Sequence, residues 1–408
     1  MRKFLFILGH MIWRPSVIFY YYKFKISGWD AETSLHEELY KINKKSDIKR
    51  TKYEYDNLKV STKSDLQKKD ISGVKGVPGR TGGSTGQPLR YFMNKGYYSK
   101  GFSLLYLGWS YAGYNLGDKV GVLAGGSLIG KDLSFSQKVK DFILNFRHYS
   151  SYGMNEQTLE SYYQDMLKHD IKFLRGYASS IYELCLFIKR RNLDKLNLTA
   201  VFTTSEKLTD NTRNLIESVL SVPVYDQYGL NDGGVSAFEC KYHTGMHVFE
   251  GRAHMAVVDD TGKQVYDESG LIVATSFNND IYPFVKYNTG DNGTLNLIKC
   301  ECGFEGKNLI SVDGRTTDVL NLNGSIIGSP VLTVLMSSVP VIKYQVIQLS
   351  EDTVKFIIEK DGSYTSVDEL FIINSIKSNC GEDAIVIFDY DCNFIVSKNG
   401  KHKFIIRS

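Results

Sequence analysis

Neither sign of charge dominates this chain of 408 residues: 49 Lys and Arg against 45 Asp and Glu leave a formal net charge of +4. The nearest thing to a basic run, Lys44 to Lys52, is broken by Ser46 and Asp47. Nothing in it forms the stripe that nucleic-acid binding needs, so nucleic acid is excluded as a partner. Cysteine is scarce: Cys185, Cys240, Cys300, Cys302, Cys380 and Cys392 are unevenly spaced. That is no disulfide framework of the secreted kind, and the expected setting is a reducing cytoplasm. Long hydrophobic runs are also missing. The apolar run Phe4 to Gly9 is soon interrupted by His10, Arg14 and Pro15, too short to cross a bilayer. No small-residue cleavage site follows it, which argues against a secretory signal. The aromatic stretch Val17 to Tyr22, followed by Lys23 and Lys25, is able to rest on a membrane surface. The simpler expectation is an apolar N-terminal helix packed on the main domain. Peripheral contact with the inner face of the membrane is the alternative.

There is no internal repeat and no low-complexity linker. Ser27 to Lys69 reads as helices and loops, and the dense glycines from Gly73 to Gly86 read as a loop. Leu89 to Met93 then makes the unit strand–loop–strand. Val120 to Leu123 and Thr199 to Phe202 read as buried strands, and Gln157 to Leu167 and Ile181 to Ile188 have helical spacing. That alternation predicts an α/β layer structure. Met246 to Leu297 is strand-rich, with a hairpin turn at Asp259-Asp260-Thr261-Gly262. Behind a boundary near Thr316, a strand through Val354, Phe356 and Ile358 leads to a helix capped by Ser366 and Glu369. A strand from Ala384 to Phe388 completes a small α+β module. The expected division is therefore an N-terminal helical segment 1–54, a large domain 55–315 and a small C-terminal domain 316–408.

Five short strings carry chemistry. In Thr81-Gly82-Gly83-Ser84-Thr85-Gly86-Gln87-Pro88, three glycines admit close approach of a polyphosphate and three hydroxyls can donate to it. It lacks the Gly-Lys-Ser/Thr ending of a Walker A loop. In Tyr225-Asp226-Gln227-Tyr228-Gly229-Leu230-Asn231-Asp232, Tyr228 offers a flat face to a purine and Asp232 an oxygen ligand to Mg²⁺. Asp291 of Tyr287-Asn288-Thr289-Gly290-Asp291 can accept both ribose hydroxyls. Gly314-Arg315-Thr316-Thr317-Asp318 offers one guanidinium, and Asn399-Gly400-Lys401 a late lysine.

In this order the strings resemble the adenylate-forming superfamily of acyl- and aryl-CoA synthetases. The chain looks most like the phenylacetate–CoA ligase branch, especially the CapK-type proteins of capsular polysaccharide gene clusters. Further similarity lies in Leu58 to Leu66, in Arg175 to Ser180 and in Thr203 to Leu208. The resemblance implies a large α/β N-terminal domain of the adenylate-forming type and a small mobile α+β C-terminal domain. It assigns Thr81, Gly82, Gly83, Ser84, Thr85 and Gly86 to the ATP phosphates, and Ser205, Glu206, Gln227, Tyr228 and Gly229 to the adenine surroundings. Asn231 stands where a threonine commonly touches the α-phosphate, and Asp232 where a glutamate commonly binds magnesium. Asp291 would hold the ribose with Arg315 close by, Asp318 would sit at the hinge, and Lys401 would stabilise charge during adenylation. Gln87 departs from the frequent lysine of the phosphate loop.

Cys240 precedes His243 and His247, and Cys300-Glu301-Cys302-Gly303 follows. Cys240, Cys300 and Cys302 with one histidine make a Cys₃His set, the closed arrangement of structural zinc. The spacing leaves either histidine open. Similarity to some members of the phenylacetate–CoA ligase branch favours His247. The expected activity is ATP-dependent adenylation of a carboxylate, then acyl transfer to an acceptor, with Mg²⁺ and a structural zinc. An amine in surface-polysaccharide modification is the expected acceptor, the thiol of coenzyme A the alternative. A non-catalytic nucleotide-binding member of the fold is the alternative of another class.

Overall fold

The structure, a computed structural model, describes residues 2–14, 16–43, 51–81, 89–124, 135–151, 154–315, 319–328, 332, 335–336, 339–396 and 403–407. The chain divides into two compact units, one of residues 1–289 with 293–311 and one of residues 290–292 with 312–408. The division falls a few residues before the Arg315/Thr316 boundary expected from the sequence, and it takes Gly290–Asn292 with the second unit.

Among the described residues, a mixed sheet of twelve strands underlies the larger unit. Five of its strands are parallel and run side by side as Val224–Gly229, Ala200–Thr204, Phe173–Gly176, Val120–Ala124 and Phe146–Ser150. The helices Phe135–Ile143, Glu156–Lys168, Ala178–Arg190 and Asp210–Leu220 connect them. Strands covered on both faces need apolar residues throughout. Val120–Ala124 (VGVLA) and Ala200–Thr204 (AVFTT) are buried at every position. The helix Glu156–Lys168 begins where the Asn155 side chain accepts from the Thr158 N–H at 2.9 Å, and it buries Leu159, Tyr163 and Met166. These side chains join Leu174, Ile181, Leu184 and Val201 in one core.

Beyond Val224–Gly229 the sheet turns antiparallel. The turn at Asp259–Gly262 joins Ala253–Val258 to Gln264–Val265, with Gly262 at φ +83° and the Asp259 carboxylate accepting from the Thr261 and Lys263 N–H groups. The expected strand Leu89 to Met93 is present as Arg90–Met93, but the stretch from Gly73 to Gly86, expected to be a loop, holds the strand Val77–Arg80, which pairs with it antiparallel. At the N-terminus the helices Arg2–Trp13 and Ser16–Ser27 pack onto the larger unit through Phe6, Val17, Tyr21 and Phe24.

The second unit holds a four-stranded sheet in the order Ile385–Asp389, Thr353–Lys360, Val341–Gln348, Ile405–Arg407. Val354, Phe356 and Ile358 face its core together with Ile372 and Ile376 of the helix Ser366–Cys380. The expected cap of that helix was one residue out of register. Thr365, not Ser366, is the N-cap, and the partner is Asp368 rather than Glu369: the Thr365 N–H donates to Asp368 Oδ2 at 2.7 Å.

Candidate functional site

Open α/β sheets place their ligands beyond the carboxyl ends of the parallel strands. Three sequence-predicted segments are there. Ser205 and Glu206 directly follow Ala200–Thr204, Tyr228 and Gly229 end Val224–Gly229, and Tyr177 follows Phe173–Gly176. Ser205 takes φ +68°, a left-handed conformation that a non-glycine residue adopts at a cost, and its side chain is exposed at the strand end. Glu206 Oε2 accepts from the Ser179 N–H at 2.9 Å, so its carboxylate caps the N-terminus of the helix Ala178–Arg190, where the N-cap Tyr177 supplies no side-chain acceptor. Gln227 is buried, and its Oε1 accepts from the Trp109 indole at 3.3 Å. Its buried Nε2 has no protein partner among the described residues, which leaves a donor for a ligand.

The loop after Gly229 is held from beneath by Arg252, a residue that the sequence reading missed. Its guanidinium donates to the Leu230 and Gly234 carbonyls, both at 3.1 Å, and to Asn231 Oδ1 at 3.4 Å. Asp232, half-buried, accepts from the Tyr287 hydroxyl at 3.3 Å. Two motifs 55 residues apart therefore meet at one carboxylate. The Leu58–Leu66 segment joins the same corner, since the Asn288 N–H donates to the Ser61 carbonyl at 2.8 Å. Asp291 is buried on the strand Tyr287–Lys299, and Arg315 ends the strand Glu305–Arg315. Thr81 closes the mouth of its hairpin, with its Oγ1 accepting from the Leu89 N–H at 2.9 Å. Gly82, Gly83, Ser84, Thr85, Gly86, Asp318 and Lys401 lie outside the described residues.

On and beside the strand Val224–Gly229 sits a charged cluster centred on Asp226 and Glu239. Asp226 Oδ1 accepts from the Thr203 hydroxyl at 2.6 Å, and burial raises the Asp226 carboxyl to about 7. Glu239 accepts from the Asp226 N–H at 2.7 Å and from Arg213 at 2.7 Å, and it contacts His243 Nδ1 at 3.1 Å.

One step further, the ligand atoms of Cys240, His247, Cys300 and Cys302 all lie within 4.8 Å of one another. The Cys240 and Cys300 sulfurs are 3.7 Å apart, and His247 Nε2 is 3.2 Å from Cys302 Sγ. A tetrahedral ion with metal–sulfur bonds of about 2.3 Å has a sulfur–sulfur edge of about 3.8 Å, so the sulfur pair fits a metal. Burial pushes the Cys240 thiol up to about 12, so a thiolate there needs a cation beside it. Burial also holds the His247 ring below its ordinary value, in the neutral form a metal ligand needs. The two distant segments are brought together by pairing of Met246–Val248 with Ser236–Glu239 on one side and with Glu305–Arg315 on the other. Gly303 at φ +91° makes the tight turn after Cys302, with its N–H on the Cys300 carbonyl at 2.9 Å. His243 is engaged with Glu239 and Arg213 instead and is not in the set.

The chain matches no protein-family profile. It is 27% identical over 283 residues to Protein CapK of Staphylococcus aureus, which takes in 64% of this chain and 59% of that one. It is 29% identical over 209 residues to the phenylacetate-coenzyme A ligase of Thermus thermophilus, 49% of this chain and 46% of that one. The chain thus spans about half the length of the curated relatives it matches. Its fold is that of 2-hydroxyisobutyryl-CoA ligase in the postadenylation state with 2-HIB-AMP: TM-score 0.65 at 16% identity, covering 92% of this chain and 85% of that one. An anthranilate CoA ligase in complex with anthranoyl-AMP is similar at TM-score 0.53 and 14% identity, over 80% of this chain and 65% of that one. The chain is thus similar in sequence to CapK and a phenylacetate-coenzyme A ligase, and its fold is the one that these two CoA ligases share. The expected architecture, a large α/β N-terminal domain with a small α+β C-terminal domain, agrees with that fold. The residues that the structure adds to the site are Arg252, Trp109 and Tyr287. Tyr287 was within a quoted motif, but Arg252 and Trp109 reach the site from stretches with no motif.

Proposed function

We propose that this protein is an AMP-forming carboxylate ligase. The observation that carries the reading is the placement of Ser205-Glu206 and Tyr228-Gly229 at the carboxyl ends of adjacent parallel strands, with Asp232 held beside them by Tyr287. A carboxylate oxygen of the substrate attacks the α-phosphorus of ATP, and pyrophosphate leaves. The acceptor then attacks the acyl carbonyl and AMP leaves. Tyr228 and Gly229 border the adenine, Gln227 Nε2 supplies a buried donor, and Asp291 accepts from the ribose hydroxyls. Asp232 would hold Mg²⁺, whose charge offsets that of the polyphosphate. Lys401 stabilises the charge that builds on the α-phosphate. Asp318 serves as the hinge of a C-terminal domain that moves between the two steps.

The acceptor we favour is an amine in surface-polysaccharide modification, on the similarity to CapK. Coenzyme A is the second reading, favoured by structural neighbours such as 2-hydroxyisobutyryl-CoA ligase, described with 2-HIB-AMP and CoA. The Cys240, His247, Cys300 and Cys302 set is a structural zinc site that ties the segment after the Tyr-Gly motif to the hairpin carrying Asp291. Carboxylate-dependent exchange of pyrophosphate into ATP over a panel of acids tests the ligase reading. Exchange with none of them, while ATP still binds, would leave a non-catalytic nucleotide-binding protein. AMP release on adding coenzyme A or amino sugars to the adenylate separates the two acceptors.

A further inference from the structure

The first two helices bury one face and leave the other to solvent. In Arg2–Trp13, Phe6 and His10 point inward, His10 Nε2 lying 3.2 Å from the Tyr106 hydroxyl. In Ser16–Ser27, Val17, Tyr21 and Phe24 are buried, and Ser103 Oγ donates to the Val17 carbonyl at 2.8 Å. The opposite faces are also apolar. Phe4 is 67% exposed, with Leu8, Met11 and Ile12 at four, seven and eight residues along the same helix. Phe19 is 64% and Ile26 80% exposed, with Tyr22 between them. These spacings put each set on a single helical face. The neighbouring helix Phe135–Ile143, which packs against Arg2–Trp13, adds the exposed Phe142. Large apolar side chains gathered on one face mark a surface that meets something other than water.

Charge identifies what it meets. Before Asp30 the chain carries Arg2, Lys3, Arg14, Lys23 and Lys25 and no acid at all, while the whole chain has a net charge of only +4. The cationic excess is thus concentrated in this one corner, and the remainder of the chain is close to neutral. Lys3, Lys23 and Lys25 are exposed beside the apolar faces. No single helix among the described residues is long and apolar enough to cross a membrane, and Lys3–Ile12 with Ser16–Ser27 pass that test only as a pair bent by 114°. Twelve residues of helix reach about 18 Å, short of the roughly 30 Å of a bilayer core. The buried faces also hold both helices onto the sheet domain.

We propose that this corner is a lipid-docking surface that lays the two helices onto an anionic membrane. Phe4, Leu8, Met11, Ile12, Phe19, Tyr22 and Ile26 enter the boundary between headgroups and acyl chains, while Lys3, Lys23 and Lys25 pair with lipid phosphates. Aromatic and basic residues sharing one apolar face suit that depth. The surface does not depend on the ligase reading, because it uses no nucleotide-site residue.

Sedimentation of the full chain with vesicles tests it. The protein is expected to co-sediment with mixed phosphatidylglycerol–phosphatidylcholine vesicles at low salt, to be partly released by high salt, and to ignore pure phosphatidylcholine. Phe4→Ser with Phe19→Ser and Ile26→Ser, and separately Lys23→Glu with Lys25→Glu, are each expected to weaken binding on the order of tenfold or more. All five side chains are exposed, so the melting temperature should be kept. The proposal is overturned by absence of sedimentation, or by equal binding of parent and both variants. A dimer in light scattering that the triple serine variant dissolves would also overturn it, since a second copy would then cover this face.

Discussion

The Gln345 side-chain amide donates from Nε2 to the Lys403 carbonyl at 2.7 Å. Nε2 also donates to the Ile395 carbonyl at 2.7 Å, and Oε1 accepts from the Ile395 N–H at 2.9 Å. Gln345 is fully buried on the central strand Val341–Gln348, so one amide fastens both ends of the segment that carries Lys401. Gln345→Leu keeps the size and strands three backbone groups without partners, at roughly 1 kcal/mol or more for each. The variant is expected to fold with a lower melting temperature and to lose pyrophosphate exchange more than acyl transfer from a supplied acyl-adenylate. Equal loss in the two half-reactions would mean that the amide acts on stability alone.

Lys401→Ala tests the lysine itself. Removing one preorganised charge contact to a transferring phosphoryl group costs on the order of 10²- to 10³-fold in rate. Exchange is expected to fall by that factor while ATP affinity and thermal stability stay close to those of the parent. A variant that exchanges at the parent rate would take Lys401 out of the adenylation step.

The parallel core was legible because strands buried on both faces are mainly apolar: VGVLA is apolar throughout, and AVFTT begins with the apolar run Ala200 to Phe202 before its two buried threonines. The cap of the helix Ser366–Cys380 was misread because Thr365 and Ser366 are both hydroxyls, with Asp368 and Glu369 both acids three residues on. The pattern fits two registers, and only the backbone conformation of Thr365 selects one. Arg252 was not legible for another reason. Its partners lie 18 to 22 residues earlier, in the loop after Gly229, at no local spacing that a sequence pattern could reveal. The choice between His243 and His247 waited on strand pairing too, which turns His247 toward Cys302 and leaves His243 with Glu239.

Asp226 gives the folded protein a pH dependence of definite sign. Its carboxyl is raised by burial from 3.8 to about 7, so between those values the native state binds a proton that the unfolded chain has released. The stabilisation is fully present below pH 4 and is lost as pH rises through 7, a contribution on the order of a few kcal/mol. Asp226→Asn still accepts from the Thr203 hydroxyl but has no proton to lose. Urea unfolding at pH 5, 7 and 8 should show a shallower decline for the variant, with its largest gain over the parent at pH 8. Parallel curves for the two proteins would show that the buried carboxyl does not titrate in this range.

The metal set makes the sharpest test, because its members and its neighbour His243 differ so clearly in surroundings. Protein purified without a His-tag should contain about one zinc per chain, with Cys240, His247, Cys300 and Cys302 as ligands. Cys302→Ser exchanges a thiolate for a poor zinc ligand at the edge of a closed site. Because a structural metal contributes to folding, it should lower both the zinc content and the melting temperature. His243→Ala should leave the zinc in place and cost its contacts with Glu239 and Arg213, whose own ion pair at 2.7 Å remains. Chelation should reproduce the Cys302→Ser melting temperature in the parent and change the Cys302→Ser protein little. Zinc far below one equivalent in a fully stable parent, or equal zinc loss in the two variants, would remove the site.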